Sequence, residues 1–258
     1  MTDRQPALLI GHGNPMNVVT NNEFRKAWIE VGKSLPRPRA IMVVSAHWLT
    51  RGTAVTVNPQ PKTIHDFYGF PEELYKLYYS APGAVEYAEA TIKEVKSVPV
   101  LPSSDWGLDH GAWCVLMHLF PGADIPVYQL SIDYNQPLEY HFKLAGELSF
   151  LRERGVMIIG SGNVVHNLRR INWSPDPLPF DWAIEFDAFV AKSIENDDSE
   201  ALVNYLSLGS LAGAAHPTND HYIPLIYTQG VRDHKDRFAF FTEQIDMGSV
   251  SMRSILFC

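Results

Sequence analysis

The run Ala40-Ile41-Met42-Val43-Val44-Ser45 is apolar up to its last residue and leads directly into Ala46-His47-Trp48. A short apolar run without polar alternation, carrying the β-branched Ile41, Val43 and Val44, is the pattern of a strand buried on both faces. Two more runs share it: residues 6–10, ending in Gly11-His12-Gly13-Asn14-Pro15, and residues 156–159, opening into Gly160-Ser161-Gly162-Asn163. Residues 53–57, 98–101 and 125–132 read as further strands. Stretches with helical periodicity lie between them, at 24–35 (capped by Asn21 or Asn22), 71–79, 84–95, 113–120, 137–154, 182–195, 200–206 and 222–229. The aromatic tail 237–257 alternates and reads as closing strands. Apolar strands alternating with helices predict an α/β fold, a single domain over residues 1–258. Its central sheet is expected to be mostly parallel or mixed and covered by helices on both faces. In such a sheet ligands gather beyond the carboxyl ends of the strands.

At 258 residues and 46% hydrophobic content the chain can build a full core without disulfides or metal staples. The net charge of -8, with no cluster of Lys or Arg, argues against nucleic acid or an anionic membrane surface as partner. The two cysteines, Cys114 and Cys258, exclude a disulfide framework and a paired-cysteine metal site, and they fit a reducing compartment. There is no run of ~18 apolar residues and no apolar stretch of signal-peptide type near Met1, so a cytoplasmic protein without a membrane span is expected. No apolar stripe announces an interface, and a monomer or small homo-oligomer is the expectation.

Ten histidines are present. His12, His47 and His166 follow the ends of three separate strands, whereas His110 and His221 occupy turns that precede helices. If the strands are neighbours, these five side chains converge on one crevice. Neutral imidazole is the commonest protein ligand for Zn(II) and Fe(II). His118, His141 and His234 lie in or beside helical patterns, where an ordinary structural part is expected. His12, His47 and His166 are different, because three independent strand ends would each have to place an imidazole by chance. The spacing matches no HExxH element. The residues alone therefore predict a metal site of open chemistry.

Six segments, taken in order, carry a resemblance. They are Gly11-His12-Gly13-Asn14-Pro15-Met16, Ser45-Ala46-His47-Trp48, the stretch from Thr63-Ile64-His65-Asp66 through Phe67-Tyr68-Gly69-Phe70-Pro71, Asp109-His110-Gly111-Ala112-Trp113, Ser161-Gly162-Asn163-Val164-Val165-His166-Asn167 and Pro217-Thr218-Asn219-Asp220-His221-Tyr222. In this order the chain resembles the 4,5-DOPA extradiol dioxygenases of the LigB-type (protocatechuate 4,5-dioxygenase) superfamily. The resemblance implies a LigB-like fold and a non-haem metal enzyme that opens a catechol such as DOPA with O2, giving a muconic semialdehyde. It implies one divalent metal ion: Fe(II) for dioxygenase turnover, with Zn(II) also compatible with the isolated protein. It makes His12, His47 and His221 the metal ligands and puts His166 beside them, as acid/base or additional ligand. His110 becomes the runner-up for acid/base work, and His65 falls in a segment bordering the substrate. The superfamily usually completes its iron site with a carboxylate, whereas the matching position here is His221. Asp220 and Asp109 are then expected to orient imidazoles rather than bind metal. Trp48, Phe67, Tyr68 and Trp113 are expected to wall an aromatic substrate. Two other readings share these residues: a zinc hydrolase, and a non-enzymatic metal-binding protein of the Memo type.

Overall fold

The computed structural model describes residues 4–174 and 176–258. Its strands are β1 (Ala7–Gly11), β2 (Ala40–Thr50), β3 (Thr53–Thr56), β4 (Val100–Ser103), β5 (Val127–Asp133), β6 (Val156–Gly162), β7 (Phe238–Phe241), β8 (Ile245–Asp246), β9 (Val250–Ser251) and β10 (Ser254–Phe257). The first helices are α1 (Glu23–Ser34), α2 (Glu72–Tyr75), α3 (Val85–Glu94), α4 (His110–Leu119) and α5 (Leu138–Leu148). They are followed by α6 (Phe150–Glu153), α7 (Asp181–Glu195), α8 (Ser199–Val203), α9 (Ser210–Ala215) and α10 (Ile223–Gly230).

Eight strands form one sheet in the order β4-β3-β5-β2-β6-β1-β10-β7. The pairs β1/β6, β2/β6, β2/β5 and β3/β4 are parallel, and β3/β5, β1/β10 and β10/β7 are antiparallel, so the sheet is mixed. Its centre is buried on both faces, as the unbroken apolar runs predict. Side chains of alternate residues point to opposite faces. Leu8, Ile10, Ile41, Val43, Met157 and Ile159 therefore pack with Trp28 of α1 and Trp113 and Leu116 of α4. Ala7, Leu9, Met42, Val44 and Ile158 pack on the other face against α5, α7 and α10, through Leu144, Phe186 and Ile226. Because β2, β6 and β1 are parallel neighbours, their carboxyl ends open on the same side. Among the described residues no helix is long and apolar enough to cross a membrane.

The helix expected over 200–206 stops at Val203, and α9 was not expected; four further differences bear on the sheet and the site. The strand at 40–45 does not end before His47: β2 continues to Thr50, with its register against β5 shifting between Val44 and Leu49. An irregularity of this kind bends a strand and re-aims side chains. The helix expected at 113–120 begins at His110, because the Asp109 side chain accepts from the Ala112 N–H and caps it. The helix expected over 71–79 is a single turn, α2. Beyond it the backbone bonds to tertiary partners: the Leu77 carbonyl to His65 Nε2 at 2.9 Å and the Tyr79 N–H to Thr63 Oγ1 at 3.0 Å. The long helix expected over 137–154 is interrupted at Ser149, which separates α5 from α6.

Candidate metal centre

His12 follows β1 directly and stays tied to the neighbouring strand through its N–H, which donates to the Gly162 carbonyl at 3.1 Å. His47 sits in the irregular stretch of β2, and His110 opens α4. The Asn163 N–H bonds the His221 carbonyl at 2.9 Å, which fastens the turn before α10 to the end of β6. A Cβ on Gly162 would come within 2.3 Å of that carbonyl oxygen, so only glycine permits the approach. His166 lies beyond β6, bridged to Val250 of β9.

These placements bring the five strand-end and turn histidines into one cluster. One ligand atom each from His12, His47 and His221 lie within 4.8 Å of one another, and a second group joins His166, Asp220 and His221. His12 Nε2 and His47 Nε2 are 3.1 Å apart. Two nitrogens bound to one ion at Zn–N distances of ~2.0–2.1 Å are themselves about 3 Å apart. His166 and His221 stack nearly parallel, centroids 3.5 Å apart and planes 6° from coplanar.

The partners behind the rings decide which nitrogen faces inward. Ser161 Oγ donates to the Gly111 carbonyl at 2.6 Å, an oxygen that can only accept. His12 Nδ1, 3.0 Å from Ser161 Oγ, must then be the donor, leaving the Nε2 lone pair free. His221 Nδ1 donates to the Asp220 carboxylate and so frees its own Nε2. His110 Nδ1 donates to Asp66 Oδ2 at 2.9 Å, while its backbone N–H holds Asp66 Oδ1 at 2.8 Å. Asp66 Oδ2 also lies 3.7 Å from His47 Nδ1. An acceptor behind a ligating imidazole is the usual device for fixing its tautomer.

Burial sets the charge states. His12 and His47 are held well below the ordinary imidazole value by desolvation, reinforced by the like charges of the other clustered histidines. His166 is pushed down to about 2, by burial first and by His221 next. Neutral rings are the form that binds metal. Burial favours the neutral acid of Asp66 and Asp220, but their bonds to His110 and His221 outweigh it and keep both carboxyls below the usual range. The cluster therefore offers His12, His47 and His166 as neutral nitrogen donors, with the Asp66 and Asp220 carboxylates set behind His110 and His221. Asp109 is a different case: burial and Asp66 raise it, against the hydrogen bonds of Ser45 and Gln129. It anchors β2, β5 and α4 to one another behind the site.

The histidines form the floor of a cavity of about 430 Å³. Its walls come from the loop after β1 (Gly13, Asn14, Pro15), from Phe67 and Phe70, from Leu168, Ile171 and Trp173, and from Asp246, Met247 and Val250. Of the aromatics expected to wall it, Phe67 does so. Trp48 instead stacks on Trp106, Trp113 is buried in the core, and Tyr68 is almost fully exposed. His65, expected at the substrate, is not among the lining residues. Its Nε2 is taken up by the Leu77 carbonyl and its ring packs behind Phe67 and against Trp113. The segment carrying it does border the cavity, through Phe67 and Phe70. Three polar residues of the site were given no role by the sequence: Asp66, Ser161 and Asp246. Asp66 sits beside His65 in a quoted motif, yet its partner His110 is 44 residues away and no local spacing announces it.

Comparison with known proteins agrees with this geometry. A family model described as the catalytic LigB subunit of aromatic ring-opening dioxygenase matches residues 8–250. An Escherichia coli (strain K12) protein named 4,5-DOPA dioxygenase extradiol is 45% identical over 258 residues, covering 98% of this chain and 94% of that one. A Beta vulgaris protein of the same name is 34% identical over 255 residues, covering 96% and 94%. A crystal structure of an uncharacterized protein from Escherichia coli K12 superposes with a TM-score of 0.85 at 41% identity, covering 98% of this chain and 99% of that one. A match of this extent, on a fold whose strand ends and adjoining turns gather five histidines, means that the chain belongs to the LigB family of aromatic ring-opening dioxygenases.

Proposed function

We propose that this protein is an extradiol dioxygenase that opens the ring of a catechol such as DOPA with O2, residues 1–258 forming one catalytic unit. The observation that carries the reading is the convergence of His12, His47 and His221, each offering a nitrogen within 4.8 Å of the others, at the floor of an aromatic-walled cavity. The names of the relatives support the substrate class. His12, His47 and His221 would hold one divalent ion, with His166 as a further nitrogen at its flank. Bound there, Fe(II) would supply the redox chemistry of ring opening by O2, which Zn(II) cannot because it has no accessible redox change.

The chain's own residues then have separable tasks. His110 is the better proton acceptor for a catechol hydroxyl, although the sequence alone favoured His166. Its ring lines the cavity, and the Asp66 carboxylate behind Nδ1 stabilises the imidazolium formed when Nε2 takes the proton. His166, pressed flat on His221 and held neutral by burial, is a poor place for that charge. Phe67 and Phe70 give the ring an apolar slot and exclude water from it.

The deciding experiment is anaerobic loading with Fe(II), followed by L-DOPA and simple catechols in an oxygen electrode with absorbance read in parallel. Oxygen uptake matched by a yellow ring-opened product is expected. Loaded protein that consumes no oxygen with any catechol would sink the proposal, and ester hydrolysis by the zinc form would favour a hydrolase instead.

A further inference from the structure

Asp246 is the one carboxylate lining the cavity, and no Lys or Arg is among the described lining residues. Its Oδ1 accepts from the Met247 N–H at 2.9 Å, and no cation pairs with it among the described residues. The nearest basic residues in the chain around the cavity wall, Arg169 and Arg170, sit between the lining residues Leu168 and Ile171 without lining the cavity themselves. The Arg170 guanidinium is parked over the Phe180 ring at 5.7 Å. Burial holds the Asp246 carboxyl above its usual range against the Met247 amide, the behaviour of a carboxylate that lacks a counter-charge.

Its place in the fold gives its reach. Asp246 of β8 pairs with Val250 of β9, and Val250 is bridged in turn to His166. Three backbones thus lie side by side, at about 5 Å per step, which puts Asp246 about 10 Å from His166 along the cavity wall. That spacing is within reach of a side arm on a ring seated over the histidines.

We propose that Asp246 is a specificity-determining residue that receives the protonated amine of the substrate's side arm. The cavity thereby selects catechols bearing an ammonium group over catechols bearing only a carboxylate. The proposal rests on the ring-opening reading for the substrate's ring, but not for its charge. An anionic arm would meet Asp246 with no cation in the lining to balance it, whereas an ammonium gains a charge-assisted hydrogen bond in a half-buried setting.

The test compares kcat/KM of the Fe(II)-loaded enzyme on dopamine, 4-methylcatechol and homoprotocatechuate, which carry cationic, neutral and anionic arms. Wild-type protein should prefer dopamine to homoprotocatechuate, and equal use of the two overturns the proposal without any variant. In Asp246→Asn the ratio of dopamine to 4-methylcatechol should fall about ten- to hundredfold, through KM, as for loss of a hydrogen bond to a charged group. Asp246→Lys should invert the preference toward homoprotocatechuate. An unchanged ratio in Asp246→Asn overturns the proposal. If wild type opens none of these rings, the ring-opening reading fails while the subsite stays testable. Calorimetric titration of the zinc-loaded protein should then show tyramine favoured over p-cresol in wild type and not in Asp246→Asn. Equal discrimination by the two proteins overturns the subsite.

Discussion

Ser161 has a single hydroxyl proton, and the Gly111 carbonyl takes it. That one commitment forces His12 to donate from Nδ1 and to present Nε2 as a lone pair. Ser161→Ala should therefore weaken metal binding about 10–100-fold by chelator competition while leaving the fold intact. His12→Ala should abolish it. Asp66→Asn separates a second task, since it keeps the shape behind His110 but removes the charge that stabilises its imidazolium. The expectation is a fall in kcat of about 10²-fold or more, with the metal retained. A drop in metal content equal to the drop in rate would mean that Asp66 acts only through His47. These residues mark the limit of what the sequence reveals. His12, His47 and His166 stand out because strand ends repeat the same residue type, whereas His221 is picked out only through the family resemblance. Ser161 and Asp66 matter through partners far along the chain, and no periodicity encodes that.

At the scale of elements, the unbroken apolar runs at 6–10, 40–45 and 156–159 were enough to place β1, β2 and β6 in the buried centre of a sheet. Adjacency and direction were not in those runs, since they depend on pairings between distant segments. Nor was the irregularity in β2, which keeps the strand running to Thr50 while aiming His47 at the site. The contact between β2 and α4 is correspondingly tight. A Cβ on Gly111 would lie 2.6 Å from Ser45 Oγ and 2.9 Å from His47 Cδ2. Gly111→Ala should favour the helix locally yet still cost about 1–3 kcal/mol through overpacking. It should also lower metal affinity by displacing His47. Denaturant titration of the metal-free protein and a metal titration separate the two effects. Unchanged values in both would mean that α4 can shift away freely.

For the whole molecule, the buried histidines outside the site make stability depend on pH. His141 of α5 bonds Tyr227 of α10 at 3.1 Å, and burial lowers its pKa from the ordinary imidazole range to about 4. His216 is lowered by burial in the same way, to about 4. The unfolded chain binds these protons first. The stability is thus fully present above pH ~6.5 and is lost as pH falls toward ~4. Each histidine should cost about 2 kcal/mol between pH 7 and pH 5 on this basis. In His141→Gln the difference between urea unfolding free energies at those two pH values should shrink by about that amount. An undiminished difference would assign the pH response to other groups.

The order of the strands in the sheet also governs the timing of assembly. β1 is made first but lies between β6 and β10, whose residues 156–162 and 254–257 follow far behind it. Until β6 emerges from the ribosome, β1 has no partner on either edge, and no strand holds His12 beside His47. The cavity wall at Asp246 and Val250 arrives later still. Such distant pairings make for slow folding. By this order His12, His47 and His221 can be held together only after β6 and the turn before α10 have been made, so the site assembles late in synthesis.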